Sequence, residues 1–313
     1  MPRKLLLAAC LLLLAARAAC AQDKGLLRLK FNTGDVYHYA VEISGTGEMS
    51  MRAPEIMDEE TFDLPIDLSL YSELELNVTG VDKDGAAGIE IFVNRFRMNA
   101  GPDMAVDSVD EEEDMPAVIE AMFDEPLTLK MASDGGVLQA EFPDAGEDPD
   151  ELMGMFFPTD LRPADILKQA LFKLPAQAVA PGATWEHKAA FPLPPAEKKS
   201  IEFTYSFTLQ GYETVKGLDC AAIAVSVSED FTKQLSAIEL PGFGGEDEVV
   251  SMRFDRMLLD FSGMLYFAHK EGVFVGAEGV LEQEMSGAMS STLEDESVSM
   301  NMNLLVDMKI ELK

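Results

Sequence analysis

The stretch VSMNMNLLVDMKIEL, residues 298–312, decides the fold class, because apolar and mostly polar residues alternate along its whole length. Apolar side chains occupy every even position from Val298 to Leu312. Successive side chains of a strand point to opposite sides, so a period of two predicts a β-strand with one apolar and one polar face. This stretch therefore predicts a long strand of an antiparallel sheet.

The same alternation recurs along the chain, at 37–43, 66–78, 89–93, 127–131, 137–141, 201–209, 221–227 and 259–267. Glycine-containing turn sequences at 82–85, 133–136 and 216–217 separate several of these stretches and predict hairpins. Only 115–123 and 163–171 show the apolar spacing of a helix. The predicted class is mainly β, with antiparallel sheets of long strands in two similar halves and one or two short helices. A curved sheet, a half-barrel and a sandwich all fit this pattern.

The chain divides into a signal peptide (1–21), an N-terminal β-rich half (22–174) and a C-terminal β-rich half (175–313). When residues 74–93 are aligned with residues 209–227, both stretches show a strand, a glycine-containing turn and a second strand. This shared pattern indicates an internal duplication. The two halves could be separate domains or parts of one shared sheet.

The first 21 residues have the form of a secretory signal. Arg3 and Lys4 precede an apolar run at 5–16, and small residues stand at the cleavage positions in Ala19-Cys20-Ala21. We therefore expect a periplasmic or otherwise extracytoplasmic protein. No later apolar stretch is long enough to span a bilayer, so we expect no transmembrane segment after cleavage.

Cys20 leaves a second possibility, a lipid anchor. Arg17 stands where a bacterial lipobox has leucine, which favours a soluble exported protein instead. After cleavage Cys220 is the one remaining cysteine, so no intramolecular disulfide can form, and a small buried residue is its expected role.

Acidic residues dominate the charge, with 56 Asp and Glu against 24 Lys and Arg and a net charge of −32. Such a field repels nucleic-acid backbones and anionic lipid headgroups, so neither is an expected partner. Because 47% of the residues are hydrophobic, the chain is not a disordered acidic tail. Three runs lack Lys and Arg altogether, 53–82, 98–129 and 271–308, and these could attract divalent cations collectively.

Several short motifs together resemble a known group of proteins. They are Leu27-Arg28-Leu29-Lys30-Phe31, Gly34-Asp35, Tyr37-His38-Tyr39, Leu174-Pro175, Pro181-Gly182-Ala183-Thr184-Trp185 and Lys216-Gly217-Leu218-Asp219-Cys220-Ala221. The chain resembles a family of exported bacterial β-rich proteins with a domain of unknown function, many of them lipoproteins. The resemblance implies a β-rich envelope protein and supplies no catalytic residues.

No catalytic signature stands out, and we predict neither catalytic residues nor a cofactor. The three histidines, His38, His187 and His269, do not share metal-ligand spacing. The sequence Asp82-Lys83-Asp84-Gly85 begins like a calcium loop, but the oxygen ligands that should follow are missing, so a hairpin turn is expected there.

Methionine provides the candidate metal ligands. Met-x-Met occurs three times, as Met49 and Met51, Met153 and Met155, and Met300 and Met302. Thioethers are soft ligands that suit Cu(I), and on a strand both sulfurs of such a pair lie on one face. The alternative is that these methionines are packing residues of a hydrophobic core, because the flexible methionine side chain adapts to irregular spaces.

The sequence favours a non-catalytic exported envelope protein that binds a hydrophobic, lipid-like ligand or a protein partner on its apolar strand faces. The alternative is a binding protein for Cu(I) or divalent cations that uses the Met-x-Met pairs or the acidic runs. No feature specifies an oligomeric state.

Overall fold

The computed structural model describes residues 25–52, 61–100, 105–108, 123, 125–143, 173–192, 200–235, 238–241, 249–291 and 297–313. Thirteen strands in these ranges form one antiparallel sheet. In chain order they are β1 (Val36–Arg52), β2 (Thr61–Val81), β3 (Ala87–Ala100), β4 (Ala105–Asp107), β5 (Leu127–Met131), β6 (Val137–Glu141), β7 (Thr184–Pro192), β8 (Ser200–Val215), β9 (Leu218–Asp230), β10 (Ile238–Pro241), β11 (Val249–Ala268), β12 (Val273–Ser291) and β13 (Ser297–Leu312). None of the helices in the described part of the chain is long and apolar enough to cross a membrane.

The predicted mainly β, antiparallel class is confirmed, and most of the predicted strands extend beyond the stretches of alternation. Within those ranges only Phe123, the last residue of the first predicted helix, is helical, so the predicted helices are not confirmed. Residues 115–122 and 163–171, where they were expected, lie outside those ranges. The signal peptide and Cys20 also lie outside them.

The strand order is β6-β5-β3-β2-β1-β13-β12-β11-β9-β8-β7, with β4 beside β3 and β10 beside β11. The first and last strands are therefore neighbours, and fourteen residue pairs join them, from Tyr39 with Leu312 to Arg52 with Ser299. Strands β1–β6 lie on one side of this seam and β7–β13 on the other. The sheet is continuous across the seam. The internal duplication is not confirmed and stays a prediction.

One face of the sheet is apolar, and the register shows how it is assembled. On β1, Tyr37, Tyr39, Val41 and Ile43 point to this side, while His38 and its alternate neighbours point away. Directly opposed residues share a face, so β13 contributes its even positions to the same side. We call this side the apolar face and the other the polar face.

Two glycines allow an aromatic ring to lie against the apolar face. Gly263 on β11 pairs with Gly279 on β12, and both lie beneath the ring of Phe261. A Cβ at Gly279 would come within 2.7 Å of Cε2 of Phe261. The absence of side chains at Gly263 and Gly279 therefore leaves room for the ring of Phe261 against β12.

The hairpins β2–β3, β5–β6, β8–β9 and β11–β12 all turn at one end of the sheet, which we call the hairpin end. Residues 25–31, the strap, cross this end. The Leu29 amide donates to the carbonyl of Ser133 (2.8 Å), and the Lys30 amide donates to that of Gly272 (3.0 Å). These two bonds connect the strap to hairpins from both sides of the seam.

A second segment, residues 173–179, links the outer strands of the sheet. The Leu174 amide donates to the carbonyl of Asp134 in the β5–β6 turn (2.7 Å). The indole N–H of Trp185 on β7 donates to the carbonyl of Lys173 (3.0 Å). Backbone pairing of Gly25 with Val179 joins this segment to the strap. At the hairpin end, the two edges of the sheet are therefore tied together.

The largest buried cluster lies under the strap. Leu27, Leu29 and Leu174 pack there against side chains of β8, β9 and β11, namely Phe207, Leu209, Ala221, Ile223, Val225, Leu265 and Phe267. Cys220 is also fully buried, as its expected packing role requires, but in a smaller cluster with Ala268 and Val275. The core is thus concentrated at the hairpin end.

Leu27→Ala tests whether the strap is integral to the fold. Leu27 is 0% exposed and its neighbour Leu26 is 53% exposed. Truncating a buried leucine costs about 2–5 kcal/mol, whereas surface changes stay within roughly 0.5 kcal/mol. We expect Leu27→Ala to lower the free energy of unfolding by about that larger amount in urea titrations, and Leu26→Ala to leave it nearly unchanged. Equal effects of the two substitutions would contradict the packing described here.

Candidate functional site

An apolar cavity of about 300 Å³ lies on the apolar face at the hairpin end. Leu29 and Phe31 line it from the strap, and Ile310 lines it from β13. The other lining residues come from β1, β2, β3, β5, β11 and β12. Because both sides of the seam contribute, the cavity depends on the pairing of β1 with β13.

Two tyrosine hydroxyls are the only polar side-chain atoms among the described residues that line the cavity, and both are hydrogen-bonded. The hydroxyl of Tyr37 donates to Oδ2 of Asp35 (3.0 Å). The hydroxyl of Tyr39 donates to the carbonyl oxygen of Phe274 (2.9 Å). With these hydroxyls engaged, the surface offered to a ligand is hydrocarbon.

The tyrosines stay neutral at physiological pH. Burial raises the pKa of Tyr37 to about 12, and the hydrogen bond to the Asp35 carboxylate adds to this rise. Burial also raises the pKa of Tyr39 well above its usual range. A phenolate in the cavity would be poorly solvated, so the neutral form is favoured.

Four of the six predicted methionine ligands come together at the opposite end of the apolar face, the far end, where β1 ends and β13 begins. Met49 lies directly opposite Met302, and Met51 lies directly opposite Met300. All four are partly buried. The third predicted pair, Met153 and Met155, lies outside the described residues.

Two further methionines extend this arrangement and were missed by reasoning from sequence. Met285 on β12 lies opposite Met302, and Met257 on β11 lies opposite Met285. Neither belongs to a Met-x-Met pair, so local sequence carries no signal for them. Only the register across four strands places them in line with Met49.

The histidines do not converge on a site. His38 is on the polar face with its Nδ1 3.8 Å from the Glu75 carboxylate. His187 is on β7 and its ring stacks near that of Tyr205. His269 follows β11, with Nε2 3.8 Å from a carboxylate oxygen of Asp219.

Acidic side chains do not form a metal cluster in the part of the chain that the structure describes. No group of three or more His, Cys, Asp or Glu residues there is arranged to hold an ion. Asp82 makes a hairpin turn, as expected, because its Oδ1 accepts the amides of Asp84 and Ala86 at 3.0 Å each. These hydrogen bonds lower the pKa of Asp82.

The chain was compared with protein-family models, with curated proteins and with solved structures. No protein-family model matches the chain, and no curated protein matches it in sequence. Among solved structures, the crystal structure of Pseudomonas aeruginosa OpdQ aligns over 88% of this chain and 99% of that chain, at 8% identity and a TM-score of 0.17.

Alkaline titration tests the environment of the cavity tyrosines. The raised pKa means that the stability contributed by neutral Tyr37 is fully present below about pH 10, its ordinary pKa, and is lost as the pH rises toward 12. Difference absorbance of phenolate should show one component near pH 12 that Tyr37→Phe removes. If Tyr37→Phe instead removes a component that titrates near pH 10, the cavity is open to water at this position.

Proposed function

We propose that the protein is an exported, non-catalytic envelope protein that holds a hydrophobic, lipid-like ligand against the apolar face of its sheet. The apolar cavity beneath the strap carries this proposal. Its volume of about 300 Å³ is at the lower end of the range for small-molecule sites, roughly 300–1,000 Å³. A cavity with no available hydrogen-bonding side chain selects for hydrocarbon rather than for sugars, nucleotides or peptides.

The shape of the apolar face favours an elongated ligand. From the cavity, apolar side chains continue along the seam through Ile43, opposite Met308, to the methionines near Met49. The eleven residues from Val41 to Met51 span roughly 33 Å at the rise of a β-strand. An acyl chain could lie along this path with its end in the cavity.

The chemistry of the lining argues for binding without catalysis. Aliphatic and aromatic side chains neither transfer protons nor attack a bound molecule, and the two tyrosine hydroxyls are held neutral by burial. Binding of this kind gains free energy from apolar area removed from water. The residues at the cavity therefore favour a carrier or sensor over an enzyme.

Export rests on the N-terminal sequence. The signal-like residues 1–21 and the resemblance to exported β-rich proteins both favour delivery to the envelope. An apolar ligand crossing an aqueous compartment needs a protein that shields it from water. The acidic surface suits such a carrier, because like charge keeps it soluble and away from anionic headgroups.

Filling the cavity should abolish ligand binding. Ala277 lines the cavity from β12, whereas Ala288 lies on the polar face of the same strand. We expect Ala277→Trp to weaken binding of a fluorescent fatty-acid analogue by about tenfold or more, because the indole occupies the ligand's volume. Ala288→Trp, the matched control, should bind as the wild type does.

Native mass spectrometry of protein purified from its own host provides an independent measurement. A co-purifying apolar molecule that Ala277→Trp loses and Ala288→Trp keeps would support the proposal. Binding of the analogue that is equal in both variants, together with a ligand-free mass for the wild type, would overturn it.

A further inference from the structure

We propose that the methionines at the far end of the apolar face form a binding site for Cu(I). The site consists of Met49, Met51, Met300 and Met302, which we call the thioether quartet. Met285 lies beside it on the next strand. This site goes beyond the binding of an apolar ligand, and no quartet residue lines the cavity.

The register brings the four side chains together in a rectangle. Met49 faces Met302 and Met51 faces Met300 on adjacent antiparallel strands. Directly opposed Cβ atoms lie about 4.5–5.5 Å apart, and residues two apart on one strand are separated by roughly 7 Å. A methionine side chain has three rotatable bonds, so sulfurs at these spacings can converge on a single ion.

The ligand chemistry selects a soft ion. Thioether sulfur is neutral and needs no deprotonation, and it suits Cu(I) rather than Ca²⁺ or Mg²⁺, which require oxygen. All four quartet residues are partly buried on the apolar face, which limits competition from water. A monovalent ion also has a lower desolvation cost than a divalent one in such surroundings.

Facing pairs of methionine occur on β1 and β13 at the far end of the apolar face, although packing alone does not require methionine there. On the same face nearer the hairpin end, β1 and β13 use Val41 and Ile310 as a facing pair. Branched residues of this kind are the usual choice for a strand. At the far end two consecutive facing pairs are methionine on both strands, a choice that gives up β-propensity and gains sulfur ligands.

The row continues onto two more strands. Met285 lies next to Met302, and Met257 lies next to Met285. Met49, Met302 and Met285 are thus consecutive positions across three strands, so a third thioether can complete the coordination of an ion held by the facing pair Met49–Met302. Met285 and Met257 also pack against the buried cluster of Phe231, Leu235 and Phe254.

Competition titration tests the site directly. The mature full-length protein is titrated anaerobically with Cu(I) held by a chromophoric chelator, and in parallel with Ag(I), which binds thioethers but is not redox-active. We expect one tightly bound ion for the wild type and a loss of affinity of at least about tenfold in Met300→Leu/Met302→Leu, since leucine preserves volume but removes sulfur. The control, Met98→Leu/Met264→Leu, changes methionines outside the row and should retain wild-type affinity.

Methyl resonances of methionine provide a readout that does not depend on the variants. Addition of Ag(I) should shift the methyl signals of the quartet and of Met285, and leave those of Met98 and Met264 in place. Equal affinities for the two double variants, or shifts spread evenly over all methionines, would overturn the proposal. Because the quartet is outside the cavity, loss of metal binding with retained binding of the fatty-acid analogue would leave the proposed function intact.

Discussion

The pairing of β1 with β13 is the interaction on which the rest of the structure depends. It joins the first and last strands of the chain through fourteen residue pairs and makes one sheet from two separate runs of strands. Its register also decides which side chains share a face, since a slip of one residue would move every side chain of one strand to the opposite side. Such a slip would place Met302 on the polar face and remove Ile310 from the cavity.

Most of the strands and several of their turns were predictable because both are encoded locally, whereas β4, β7, β10 and β12 were missed. Alternation over 298–312 gave β13, and Lys216-Gly217 gave the tight turn of β8–β9, where both residues have positive φ (49° and 81°). The strap was not predictable in the same way. Nothing local distinguishes Leu27, fully buried, from Leu26, half exposed, because the difference arises from hydrogen bonds to hairpins more than 100 residues away.

The candidate sites show the same limit. An apolar strand face that could receive a ligand follows from periodicity, but the position of the cavity follows from the strap, which adds Leu29 and Phe31 to the lining. Likewise, Met49, Met51, Met300 and Met302 were candidates from their spacing alone. Their arrangement as facing pairs, and the addition of Met285, required the cross-strand register, which no single stretch of sequence contains.

A sheet with one apolar face must cover that face, because exposed hydrocarbon costs about 25 cal/mol per Å². Domains usually meet this requirement with a second layer of secondary structure. In the described part of the chain, the strap and residues 173–179 cover the hairpin end, Phe231 and Leu235 pack on the apolar face of β11 and β12, and the strands form one continuous sheet. Under the proposed function, an acyl chain bound in the cavity would extend that cover along the seam, so ligand and fold would stabilise each other by mass action. Occupancy of the cavity should then be coupled to the stability of the strap, because both bury Leu29 and Phe31.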